Sequence, residues 1–199
     1  MPIVRLPQGE LRDEIRQAIY DQFRLGNADT VTGTRQFFSS VQGKPLSQSN
    51  LRQNNLLETA VSYRVQGMGF DAMNHIAANR DVLPFVYDNS SLRVRIGEKV
   101  YWQGPLAFLA GRLWQEEAVS IYGQAAPTVN EKLFQRFGDL VAAPVQLTGK
   151  HVVDINPLQS FSAEWTVDAD AVVATPTIAA GSRIAFTFSF KGLMRRPVQ

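Results

Sequence analysis

His75 and His151 are the only histidines in the 199-residue chain, and 76 positions separate them. A histidine-rich metal site needs two or three imidazoles plus a carboxylate, commonly opening with a His-X-His pair, and that pair is missing. A Ser-His-acid triad lacks its usual Gly-X-Ser-X-Gly elbow. Paired carboxylates could hydrolyse a glycosidic bond. Glu116 and Glu117 are adjacent, which sends them to opposite sides of a strand or about 100° apart on a helix. Glu164 and Asp168 fall on the polar face of an alternating run, where charge is expected anyway. No cysteine is present, so thiolate ligands, a cysteine nucleophile and disulfides are excluded. No glycine run has the phosphate-loop frame. These residues predict a protein that is not an enzyme and carries no metal or cofactor.

Exposed Trp and Tyr are common platforms for sugars. Trp165 is in phase with Phe161 and reads as core, whereas Tyr101 and Trp102 are neighbours, so one of them should face outward. Trp114 falls in a stretch without clear periodicity. Twenty basic against eighteen acidic residues leave a net charge of +2. Only Arg93/Arg95 and Arg195-Arg196 cluster, too few to predict sequence-specific nucleic-acid binding. The start, Met1-Pro2-Ile3-Val4-Arg5, has no apolar leader segment, and no stretch is long enough to span a membrane as a helix. The missing cysteines fit assembly in a reducing cytoplasm.

What must position any site is a β framework. Phe161, Ala163, Trp165 and Val167 alternate with polar residues, and Ile184, Phe186, Phe188 and Phe190 do the same. Period two puts the large side chains on one face of each strand. The two runs read as neighbours in one sheet with an aromatic inner face, and Phe161, Trp165, Phe186 and Phe188 are the candidate core. Further strands are expected at 34–42, within Leu56–Phe70, and at 145–154. A hairpin is expected where Leu92, Val94 and Ile96 lead through Gly97-Glu98-Lys99 to Val100–Gln103. Gly67-Met68-Gly69 suggests a bulge or bend. The stretch 43–55 reads as a polar excursion, and 72–83 as helix or loop. Thr128 and Glu131 suggest a capping box for a short helix at 129–138.

Residues 9–25 carry the one helical pattern. Leu11, Ile15, Ala18, Ile19 and Phe23 recur at spacings of three and four, with charged residues between them. The chain therefore divides into an N-terminal arm and amphipathic helix, 1–26, and a single β-sandwich domain, 27–199. Neither the helix nor the basic end is needed to close a sandwich. Ile15, Ile19, Phe23, Arg195 and Arg196 are thus the candidate assembly interface, and the helix could rest on a neighbouring subunit or an internal membrane.

The helix at 9–25, the strands Phe161–Val167 and Ile184–Phe190, and the ending Gly192-Leu193-Met194-Arg195-Arg196-Pro197-Val198-Gln199 together resemble a known pattern. It is that of the single jelly-roll capsid proteins of tailless, icosahedral, membrane-containing bacteriophages. The resemblance implies a mainly β fold, a two-sheet antiparallel sandwich of jelly-roll type with one or two short helices in its loops. It implies a virion capsid, vertex or decoration subunit, assembled in the host cytoplasm, whose partners are copies of itself and other virion proteins. The rival is a β-sandwich receptor- or carbohydrate-binding module of a phage fibre.

Overall fold

The computed structural model describes residues 3–5, 11–26, 29–74, 77–110, 114–119, 132–137, 145–146, 152–170 and 172–197. The first elements are β1 (Ile3–Arg5), β2 (Leu11–Arg16), β3 (Ile19–Gly26), β4 (Gly33–Phe37) and β5 (Ser62–Asn74). A 3-10 turn (Ala77–Asn79), α1 (Val82–Asn89), β6 (Ser90–Ile96), β7 (Lys99–Pro105) and α2 (Leu106–Ala110) follow. The rest is β8 (Trp114–Val119), β9 (Lys132–Phe137), β10 (Val145–Gln146), β11 (Val153–Ile155), β12 (Phe161–Val167) and β13 (Arg183–Pro197).

The chain is mainly β, in two antiparallel sheets. β13 is the axis of the larger one. Along one side it pairs with β3 and then β2 in a single unbroken register, Phe190 opposite Ile19 and Leu193 opposite Arg16. The Gln17 N–H bridges the gap by donating to the Gly192 carbonyl at 3.3 Å. β5 lies on the other side of β13, and β11, β10 and β9 follow one another along the far edge of β5. The smaller sheet runs β4-β12-β6-β7.

A one-residue slip reverses a strand's faces, and β5 uses one. Lys191 pairs with Gly67 but Gly192 pairs with Val65, leaving Gln66 as an extra residue. Tyr63 and Val65 therefore point inward before the bulge, and Met68, Phe70 and Ala72 after it. The expected bend at Gly67-Met68-Gly69 thus begins one residue earlier. Gly192 is needed opposite it, since a Cβ there would lie 1.9 Å from the Arg64 carbonyl oxygen. The β6–β7 hairpin turns on Gly97-Glu98, with Gly97 at φ 59°, as a II′ turn requires.

The inner faces of the two sheets meet in an aromatic layer. Phe37 of β4 lies 5.8 Å from Phe70 of β5 and from Phe188 of β13, and Phe161 of β12 lies 5.8 Å from Phe190 of β13. Trp165, Phe186 and Phe188 are wholly buried and Phe161 nearly so. Each such side chain contributes about 1.5–3 kcal/mol by leaving water. Val82, Leu83, Phe85 and Val86 of α1, with Leu106 and Leu109 of α2, join the same core.

Three expectations are corrected here. The helix expected at 9–25 gives way, over its described residues, to the strands Leu11–Arg16 and Ile19–Gly26. The apolar positions 11, 15, 19 and 23 are spaced by four, which satisfies period two as well as a helical stripe. The ladder offered by β13 decides for the strand. Residues 11–26 are accordingly part of the larger sheet. Next, β12 and β13 are not neighbours in one sheet but face each other from opposite sheets, so the segment between them passes from one sheet to the other rather than turning a hairpin. Finally, Lys132–Phe137 is a strand, where a helix at 129–138 was expected. Its proposed cap, Thr128 and Glu131, lies outside the described residues.

Candidate functional site

His75 and His151 lie outside the described residues. Glu116 and Glu117 follow one another on β8, opposite Gln135 and Phe134. Glu164 and Asp168 are exposed on and just beyond β12. Among the described residues no three metal-binding side chains converge. Tyr101 is 40% exposed, whereas Trp102 packs partly against the core and Trp165 lies within it.

The candidate interface residues are used by the fold itself. Ile19 is fully buried, and the Phe23 ring lies 4.7 Å from that of Phe37. Ile15 is half-buried on β2. Arg195 Nε donates to Glu14 Oε1 at 3.0 Å, and Arg196 Nε is 4.0 Å from Asp13. The basic ending is therefore neutralised by β2, across the ladder that holds it. A membrane contact through a greasy helix face loses its basis, because the apolar side chains of β3 point into the core.

On the outer face of the larger sheet the same pairing continues. Arg64 grips Asp154 with two hydrogen bonds, Nε to Oδ1 at 2.9 Å and Nη2 to Oδ2 at 3.2 Å. That bond, with Asp154 and Glu14 as nearby anions, raises the Arg64 pKa further above its ordinary value. β11, β5, β13 and β2 each contribute to this band of charge.

Sequence reading missed Asp21. It sits in the inward register of β3 between Ile19 and Phe23 and is wholly buried. Lys44 Nζ donates to Asp21 Oδ1 at 2.7 Å and lies 5.1 Å from the centre of the Phe23 ring, and the Phe38 N–H donates to Asp21 Oδ2 at 2.8 Å. A buried carboxylate must be paired this fully. The signal in the sequence was a lone acid in phase with Ile19, Phe23 and Leu25.

This pair clasps the polar excursion against the free side of β3. Asn50 behaves like a strand residue there, its Oδ1 accepting from the Tyr20 N–H at 3.0 Å and its Nδ2 donating to the Ala18 carbonyl at 2.7 Å. Ser49 Oγ donates to the Tyr20 carbonyl, and the Tyr20 hydroxyl donates to the Leu46 carbonyl. An unpaired strand edge invites association, and this loop closes it. Across the sheet, the Tyr63 hydroxyl lies 2.7 Å from the Gln17 carbonyl oxygen and 2.9 Å from that of Phe190, sharing its proton at the β2–β3 join. Burial raises the Tyr63 pKa well above the usual phenol value, against a smaller lowering by a backbone hydrogen bond at Ile19.

Unburied apolar side chains lie elsewhere. Val100, Tyr101 and Phe108 are exposed on β7 and the adjoining α2. Val172 and Val173 are exposed on the β12–β13 connection, where Asp170 Oδ1 accepts their backbone N–H groups at 2.6 and 2.9 Å. These bonds lower the Asp170 pKa below its ordinary value. Compared with known protein families, curated proteins and solved structures, the chain matches none. Its function is read from its own strand order and surfaces. No helix among the described residues is long and apolar enough to cross a membrane.

Proposed function

We propose that this chain is a viral structural protein, a jelly-roll capsid subunit that assembles into an icosahedral shell. One observation carries the reading. Setting aside the outermost strands β1 and β8, and taking β2 with β3 as one strand and β9, β10 and β11 as one, leaves eight strands in chain order. The first, eighth, third and sixth then lie side by side in the larger sheet, and the second, seventh, fourth and fifth in the smaller. Such alternation between sheets is the double Greek key of a jelly roll, the arrangement of many capsid domains.

Two further features support a subunit that meets others of its kind. The surface is sparsely charged, with 19% of residues charged against about 25% in an ordinary domain. Its exposed apolar side chains include Val100 and Tyr101 on an outer strand, Phe108 on a short helix, Val172 and Val173 on a connection, and Leu46 on the loop that covers the β3 edge. Partners are copies of this chain and other virion proteins, and the location is the virion. Light scattering on the purified full chain tests the reading. Closed or discrete high-order assemblies are expected, whereas a monomer at every concentration would overturn it and favour the fibre-module rival.

A further inference from the structure

The outer face of the smaller sheet carries a polar row that runs across all four of its strands. Gln36 of β4, Glu164 of β12, Arg93 of β6 and Gln103 of β7 stand opposite one another in the ladder. Gln36, Glu164 and Gln103 are exposed, and Arg93 is partly buried. On one side of the row the Thr34 and Thr166 hydroxyls lie 3.0 Å apart, with Ser91 opposite Thr166. On the other side Ser162 stands opposite the exposed Arg95. Val100, opposite Arg95, and the bulged Tyr101 carry the face to its β7 border, and both are exposed.

Arg93 and Glu164 are direct cross-strand neighbours, yet neither side chain makes an ion pair or a hydrogen bond among the described residues. Arg93 Nε is closed off from water without an acceptor. A guanidinium in that state has lost hydration without gaining a bond, and a carboxylate at its terminal nitrogens is the strongest remedy. From β4 to β7 the row reads amide, carboxylate, guanidinium, amide. Read backwards, it is the same row with the charges exchanged, so the face is complementary to its own copy. A two-fold axis parallel to the strands lays carboxylate on guanidinium twice and amide on amide twice. The same axis sets Arg95 against Ser162 and Thr166 against Ser91, so no like charges meet.

We infer that a second copy of this chain docks on this face, Glu164 of each copy against Arg93 of the other. The inference rests on the reading of the chain as a self-assembling subunit and names one surface through which copies meet. Four strands about 4.8 Å apart and about five residues long present a footprint of roughly 300 Å². A stable interface takes about 800 Å² from each partner. The pair is therefore weak and concentration-dependent, with Val100 and Tyr101 widening it at the border.

Sedimentation velocity on the full chain, over a wide range of concentration, tests the contact. Glu164→Arg makes the row wholly basic, and Arg93→Glu makes it wholly acidic. Each variant should weaken self-association at least about tenfold with the melting temperature unchanged. Mixed in equal amounts, the two variants should pair with each other about as tightly as wild type, because each row then faces its opposite. Should Arg93→Glu not fold, Glu164→Arg measured against wild type reads the contact by itself. Equal self-association by Glu164→Arg would overturn this face while leaving the capsid reading standing. Loss in both variants without recovery in the mixture would place the Glu164–Arg93 contact inside one chain and overturn the docking. A wild-type chain that stays single at every concentration would overturn both.

Discussion

Trp165 of β12 and Phe186 of β13 face each other from opposite sheets, their ring centroids 4.7 Å apart and their planes inclined at 38°. Both side chains are wholly buried, so the contact joins the two layers at the centre of the core. Trp165→Ala or Phe188→Ala is expected to cost about 3–5 kcal/mol through lost burial and a cavity. A double-mutant cycle on Trp165 and Phe186 should add a coupling of about 0.5–1.5 kcal/mol. Urea unfolding measures both, and an unchanged midpoint in either single variant would remove these residues from the core.

Lys44→Ala would leave the Asp21 carboxylate buried without its cation. The expected loss is about 3 kcal/mol, at the low end for a broken buried pair because Lys44 keeps some access to water. The same variant should speed amide exchange at Tyr20 and Phe38. Wild-type stability in Lys44→Ala would show that the pair does not hold the loop.

At Gly192 the backbones of β13 and β5 approach too closely for any side chain. Gly192→Ala should cost about 3 kcal/mol or more, since the clashing Arg64 carbonyl is backbone and cannot swing aside. Full stability would mean that the bulge at Gln66 can shift to make room.

Asp170 is a case for titration. Its carboxylate pKa is held down by the Val172 and Val173 N–H groups, so the order it gives the connection is present above the unfolded value. That order fades as pH falls through the lower folded value. NMR of the Asp170 side chain should give a midpoint below about 3.9. A midpoint at or above that value would show that the turn is not formed in solution.

The ends of the chain show what was legible in the sequence and what was not. The alternation at Phe161–Val167 and Ile184–Phe190 marked strands and a greasy face, and the Gly97 turn marked a hairpin, because those signals are local. Which sheet each strand joins is decided by pairings across most of the chain, and no short pattern encodes them. At 11–25 a spacing of four served both periods, and only the β13 ladder broke the tie.

Deletion of residues 1–26 follows from that ladder. It removes the β2–β3 partner of β13 together with Ile19, Asp21 and Leu25, so the product is expected not to fold cooperatively. A soluble product with a sharp melting transition would show that these strands are dispensable.

The capsid role is tested most directly by electron microscopy of particles from the native source, labelled with gold-tagged antibody against this chain. A shell subunit predicts regular icosahedral particles with label at many symmetric positions on their surface. Label confined to a fibre, or absent from particles altogether, would contradict it.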